Sequence, residues 1–141
     1  MATTTEGAIE QVLSVRLSSL VLSPVHPISA PNITFTKPID NRYLEAKFVP
    51  NATNRVLIDS DGPHQRIGFL QVNVRDKLNS GVRVTDIAGI VAAHFPADLK
   101  LTHATGIRVR ITADPDVGGM LVETTTPGVM VPVLIPYECW A

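Results

Sequence analysis

From Tyr43 to Gly81 apolar and polar residues take turns along the chain in short runs broken by turn-forming residues. Leu44, Ala46 and Phe48 alternate with Glu45 and Lys47, the period of a strand with one buried face. Pro50-Asn51 is expected to break that strand, because proline cannot donate to a ladder and asparagine tolerates turn dihedrals. Arg55–Ile58 resumes the extended pattern, and Asp59–Pro63 supplies side-chain acceptors, a glycine and a proline, the makings of a turn. Ile67–Val74 then reads as the central strand, with Leu70, Val72 and Val74 on its buried face.

Two segments carry the helical period instead. Ile9, Val12, Leu13, Leu17 and Leu20 share one side of the first, behind a threonine-rich start with capping groups, and Ser23-Pro24 is expected to end it. The second spans about Val82–His94, with Val84, Ile87, Ile90, Val91 and Phe95 as its stripe, Ser80-Gly81 at the N-cap place and Pro96 as its stop. Between the first helix and Tyr43 the chain is proline-rich, and 24–41 reads as an extended arm with a short strand at Ile33–Phe35. Further strands are expected at Leu99–Leu101, Ile107–Thr112, Met120–Thr124 and Val129–Tyr137, with turns at Asp114–Gly119 and Thr126–Gly128. Pro132 and Pro136 in the last of them predict an edge strand or bulges.

The main elements therefore run α-β-β-β-α-β-β-β in a single domain over 1–141: an α+β fold with two helices packed on a largely antiparallel or mixed sheet. Leu13, Leu17, Phe48, Leu70, Val72, Val74, Ile87, Ile90, Val91, Val109, Ile111 and Val133 are the predicted core.

Composition sharpens this only a little. An apolar content of 45% with 18% charged residues fits a folded chain, and a formal charge of −1 gives no electrostatic reason to expect nucleic acid or an anionic membrane as partner. No apolar run approaches the ~18 residues of a membrane span, and the lone Cys139 excludes an internal disulfide and fits a reducing compartment. His26, His64, His94 and His103 lie far apart, none at zinc-ligand spacing, and read as surface or helix-end histidines. Asp59 and Asp61 share a spacing with the start of a calcium loop, but Pro63 and His64 follow and the twelfth-position glutamate is missing. Gly118-Gly119 has no following lysine and precedes a strand, so it is no phosphate loop. No nucleophile motif is present, and Cys139 beside Trp140 reads as a buried or interfacial thiol. No cofactor and no catalysis are expected. Arginines outnumber the four lysines, which suits fixed ion pairs, at subunit contacts or on ordinary sheet faces.

PNITFTKP, VPNATNRVLIDSDGPHQRIGFLQVNVRDKLNSG, IVAAHFP and VPVLIPYECW, in that order, resemble a family of small proteins from tail modules of tailed phages and prophages. The family is similar in size and layout to the tail terminator (tail completion) proteins of long-tailed phages of the lambda type. The resemblance runs from about Pro27 to the C-terminus. It is most specific at Asn54-Arg55, the Gly62 turn, Gln71–Val74 and Ala93–Pro96.

The resemblance implies a structural virion protein of the tail neck, assembled in the host cytoplasm. Such a protein forms a homo-hexameric ring on the head-proximal end of the tail tube. There it stops tube polymerisation and joins the tail to the head. Its partners would be itself, the major tail tube protein and a head completion or connector protein, with DNA passing the lumen without specific binding and no membrane involved. Asn32, Phe35, Arg42, Arg55, Asp61, Arg66, Arg108, Arg110, Pro132 and Pro136 are the residues expected at subunit or tube contacts. Another neck protein, a connector or stopper, and a small enzyme with a site formed only in the fold are the alternatives.

Overall fold

Tyr43–Asn54 (β2) and Gln65–Asp76 (β3) form an antiparallel hairpin, and Gly128–Trp140 (β8) runs along the other side of β3 over its whole length. These three long strands are the centre of one eight-stranded mixed sheet. The structure is a computed structural model, and it describes residues 4–22, 26–29, 35–36, 42–55, 64–77, 81, 83–123 and 128–140. Ile28–Ser29 (β1) adds to β2 in parallel at Leu44 and Glu45. Lys100–Thr102 (β4) pairs with Arg108–Ile111 (β5), and β5, Asp116–Val117 (β6) and Leu121–Glu123 (β7) follow one another along the free side of β8. Thr5–Ser18 (α1) and Val84–Ala93 (α2) pack on one face of the sheet. The α+β class and the two helices on a mixed sheet are as the sequence implies. Five strand segments follow α2, because the flank of β8 is broken.

That break corrects the reading of β8 as an edge strand. It is paired on both sides, and its prolines are accommodated by irregularities in the flank. From Tyr137 to Leu134 β8 moves three residues, while the flank takes five, Ile111 to Asp116. From Val133 to Met130 it again moves three, against four from Val117 to Leu121. Thr112 N–H donates to Pro136 O (3.3 Å) and Gly118 N–H to Pro132 O (2.8 Å). In an antiparallel ladder a residue turns its N–H and C=O to the same neighbour, so both missing proline N–H groups face the flank where it bulges. Gly118 permits the approach, since a Cβ there would stand 2.8 Å from Pro132 Cγ.

Other boundaries moved for equally local reasons. β2 is not interrupted at Pro50-Asn51; it bulges between Pro50 and Ala52 and continues to Asn54, held by β3. α1 starts on Thr4, whose side chain accepts from Gly7 N–H (3.1 Å), but it stops at Ser18, short of Ser23-Pro24. There Ser19 Oγ donates to Arg16 O (2.6 Å) and His94 Nε2 donates to the same carbonyl (2.8 Å). In return Arg16 Nε and Nη2 both donate to His94 O (3.0 and 2.8 Å), which ties the C-terminal ends of the two helices together. α2 is capped at Arg83, without a side-chain cap bond, and not at Ser80-Gly81. The Asp59–Pro63 turn and most of the 24–41 arm lie outside the described residues, as do all but Phe35, Arg55 and Gly128 of the expected Ile33–Phe35 strand, Arg55–Ile58 resumption and Thr126–Gly128 turn.

The core lies between the helices and the inner sheet face. Leu13, Leu17, Leu70, Val72, Val74, Ile87, Val91, Val109, Ile111 and Val133 are buried in it as predicted. Phe48 is half-buried, stacked on Tyr137 at 5.7 Å between centroids. Ile90 is 41% exposed, so it does not belong to the core: α2 turns Val84, Ile87, Ala88 and Val91 inward and leaves Ile90 beside Gly89 outside. Two histidines also depart from the surface reading. His26 is buried, and His103 accepts at Nδ1 from Thr105 N–H (3.2 Å), which leaves Nε2 to donate to Gln11 Oε1 (2.7 Å).

Candidate assembly surfaces

Among the described residues, both helices lie on the inner face of the sheet and none on the outer. Cross-strand register assigns it Tyr43, Glu45, Lys47 and Val49 of β2, and Ile67, Phe69, Gln71, Asn73 and Arg75 of β3. From β8 it takes Met130, Pro132, Leu134, Pro136, Glu138 and Trp140. An apolar middle (Val49, Phe69, Leu134, Pro136) is bordered by one polar cluster at each end.

At one end Glu45 accepts from Asn73 Nδ2 (2.9 Å) and Arg75 Nη2 (3.2 Å), with Lys47 Nζ 3.7 Å away. Burial works to raise the Glu45 carboxyl, but the two hydrogen bonds and the charges of Arg75 and Lys47 outweigh it and hold it below the ordinary value. At the other end Gln65 Nε2 donates to Glu138 Oε2 (2.8 Å), and Trp140 Nε1 (3.2 Å) and Arg110 Nη2 (3.5 Å) donate to Oε1. The Gln65 bond is the main reason that Glu138 also lies below its usual value, Trp140 and Arg110 adding to it against burial.

These clusters show where the expected contact residues stand. Arg42 Nε lies 3.2 Å from each carboxylate oxygen of the fully buried Asp76, so it closes the end of β3. Arg66 pairs with Glu6 and fastens the first turn of α1 to β3. Arg110 is held by Asp98 (2.7 Å) and Glu138. Those three arginines make ion pairs within the chain. Arg108, on the same strand as Arg110, and Arg55, just past β2, are exposed. Phe35 rests on Tyr43 with centroids 5.2 Å apart. Pro132 and Pro136 are half-buried in β8, whereas Asn32 and Asp61 lie outside the described residues. The structure therefore groups Arg66 and Arg110 at one end of β3 and β8, with Pro136 next to them in the apolar middle, and Arg42 at the other end.

Residues not singled out in the sequence line β6, β7 and the stretch between them. Val117 is 38% exposed and Met120, Leu121 and Val122 each more than half. A groove of about 520 Å³ beside them is lined by Val84, Gly89 and Met120. The signal was there to read: three consecutive apolar residues at 120–122 cannot all face a core from a strand of period two. A second groove, about 440 Å³, runs between α1 and β4 past Val12, Val15, Leu101 and His103.

Neither groove gathers a reactive constellation. Among the described residues no three of His, Cys, Asp and Glu come together as a metal site. Cys139 is fully buried, and burial, with the Glu6 charge adding and Arg66 opposing, pushes its thiol up. Its neighbour Tyr137 is pushed up to about 12, chiefly by burial. A thiol that is both covered and protonated is a poor nucleophile. Cys139 is expected to resist a thiol-specific reagent at pH 8 in the native protein and to react fully in denaturant. Rapid native labelling would show that the end of β8 opens.

A family model described as phage tail terminator protein matches residues 8–137. A solved structure superposes on the chain with a TM-score of 0.69 at 26% identity, over 94% of this chain and 90% of its own. No curated protein matches it.

Proposed function

The chain belongs to the phage tail terminator family, and from that premise we propose that it caps the head-proximal end of a tail tube as a ring of its own copies. It is a structural protein of the phage tail module. The observation that carries the finer reading is the extent of the match, which takes in most of α1, all of α2 and nearly all of the sheet. A closed ring needs two different, complementary surfaces on each copy. The apolar middle of the outer face and the exposed β6–β7 flank offer two such surfaces. In this reading the ring has six copies, as in lambda-type long-tailed phages. One side meets the tube protein, the other a head completion protein, and DNA passes through the opening without being bound by sequence. The protein performs no catalysis; it acts by stopping polymerisation.

In this reading ring contacts made one at a time are weak, and a tube end that displays all the docking sites together raises the local concentration and drives closure. Monomeric behaviour in dilute solution is compatible with this. The deciding experiment removes the gene from the phage. Filled heads and separate tails with overlong tubes are expected in electron micrographs. Tails of normal length beside heads that leak DNA would sink the terminator reading and promote a stopper.

A further inference from the structure

Two exposed apolar patches lie on the same flank of β8, toward its opposite ends. β7 pairs with the beginning of β8, Leu121 against Met130, and β4 reaches its end through β5, Leu101 against Val109 and Val109 against Cys139. At about 3.3 Å per residue, roughly 30 Å of strand separates the two levels. At the first, Val117, Met120, Leu121 and Val122 form an apolar strip, the last three more than half exposed. At the second, Val15, 62% exposed, and Leu101 line the groove of about 440 Å³ between α1 and β4. A chain that works alone rarely shows two such patches.

Each patch is flanked by charge on both faces of the molecule, and the two signs are opposite. Beside the strip, Asp86 stands on the helix side, in the groove that α2 and Met120 line. Asp116 stands on the outer face, in register with Leu134. Beside the α1–β4 groove, Arg16 is on the helix side and lines it. Lys100 is on the outer face, in the row of Arg110 and Glu138. Asp86, Asp116 and Lys100 are exposed, and the ion pairs among the described residues involve none of these four groups. Arg16 donates to the carbonyl oxygen of His94, which leaves its charge without a carboxylate. Arg83 lines the groove with Asp86 and is not paired with it, while Asp98, near Lys100 in the chain, is taken by Arg110. An apolar centre with a charged rim is the anatomy of a protein interface, and the rim charges choose the partner and fix its register.

We propose that copies of this chain join head to tail, the Met120–Val122 strip of one seated at the α1–β4 groove of the next, with Asp116 facing Lys100 and Asp86 facing Arg16. A rotation about the normal to the sheet carries one copy to the next and keeps all helices on one side of the assembly. Outer charge then meets outer charge, and helix-side charge meets helix-side charge. The two patterns complement each other on both faces, as a second copy requires and a foreign partner does not. The contact is heterologous and repeats about one axis, the requirement for a ring. It leaves the apolar middle of the outer face to another partner. The inference rests on the ring reading above and specifies which surfaces make the ring.

Arg16 also ties α1 to α2, so the test uses the outer charge pair and the apolar centre, in tails assembled with variants in place of the wild-type chain. Lys100→Glu and Asp116→Lys are each expected to leave the melting temperature unchanged and to lower the yield of completed tails at least about tenfold, and the double charge exchange to restore most of it. A chain carrying both Val15→Cys and Met120→Cys is expected to give a ladder of linked multimers when a short bis-maleimide is added to tails; Cys139 is buried and stays silent. Single charge variants without effect on yield, or a double variant no better than either, would overturn the pairing. Absence of the ladder while an amine cross-linker still joins several copies per tail would overturn it too, leaving the ring intact. One copy per tail by quantitative mass spectrometry would remove both the ring and this interface.

Discussion

Val72→Asp is expected to yield no folded protein. Val72 stands at the crossing of the three long strands, paired with Ala46 on one side and Val133 on the other, with no exposed surface. Losing its apolar burial costs about 1.5–3 kcal/mol. A carboxylate put in its place finds only Leu70, Val74, Val91 and their like in the surrounding core, and burying it unpaired costs several kcal/mol more. Against a stability of about 5–15 kcal/mol for a domain, that sum removes most or all of the folded population. Insoluble protein, or soluble protein without a cooperative melt, is the expected result. A natively folded Val72→Asp chain would show that the inner face of β3 is not the core.

Gly68→Ala is the more diagnostic change, because the ordinary expectation has the opposite sign. Alanine for glycine in a strand normally stabilises by about 0.4–1 kcal/mol through the unfolded chain. At Gly68 a Cβ would meet Val49 O at 2.6 Å, Tyr137 Oη at 2.8 Å and Asn51 N at 3.0 Å. Two of those atoms belong to the β2 backbone at its bulge and cannot swing away. Overpacking of this kind costs about 1–3 kcal/mol. For a chain of this size that is a fall in melting temperature of roughly 4–12 °C. Adding Tyr137→Phe removes one of the three contacts, so the double variant should recover only part of the loss. A melting temperature unchanged or raised in Gly68→Ala would mean that β2 does not cross β3 so closely.

Period alone determined the class of this fold. Leu70, Val72 and Val74, the α1 stripe, and the alternation Val109, Ile111 were readable because each buried position recurs at a spacing that only one secondary structure satisfies. The family was readable too, since its blocks run in order along the chain and the match covers 8–137. Ile90 shows the limit of a stripe: a helical face is about one residue wider in the pattern than in the contact, and the sheet decides which flank stays dry.

What only the tertiary structure decided is pairing. Pro132 and Pro136 announce a strand with missing donors, but whether that strand lies at an edge depends on what bulges beside it, and the bulges sit at 112–115 and 118–120, far along the chain. The arginines announce ion pairs, but not whether the carboxylate belongs to the same copy; Asp76, Glu6 and Asp98 take Arg42, Arg66 and Arg110 because folding brings them within reach. Lys100 and Asp116 look like any two surface charges until register puts both on the outer face, each beside an exposed apolar patch. Side-chain periodicity is a local property written in every few residues, whereas strand order and register are settled by the packing of segments distant in sequence, and the surfaces left exposed are a consequence of that order.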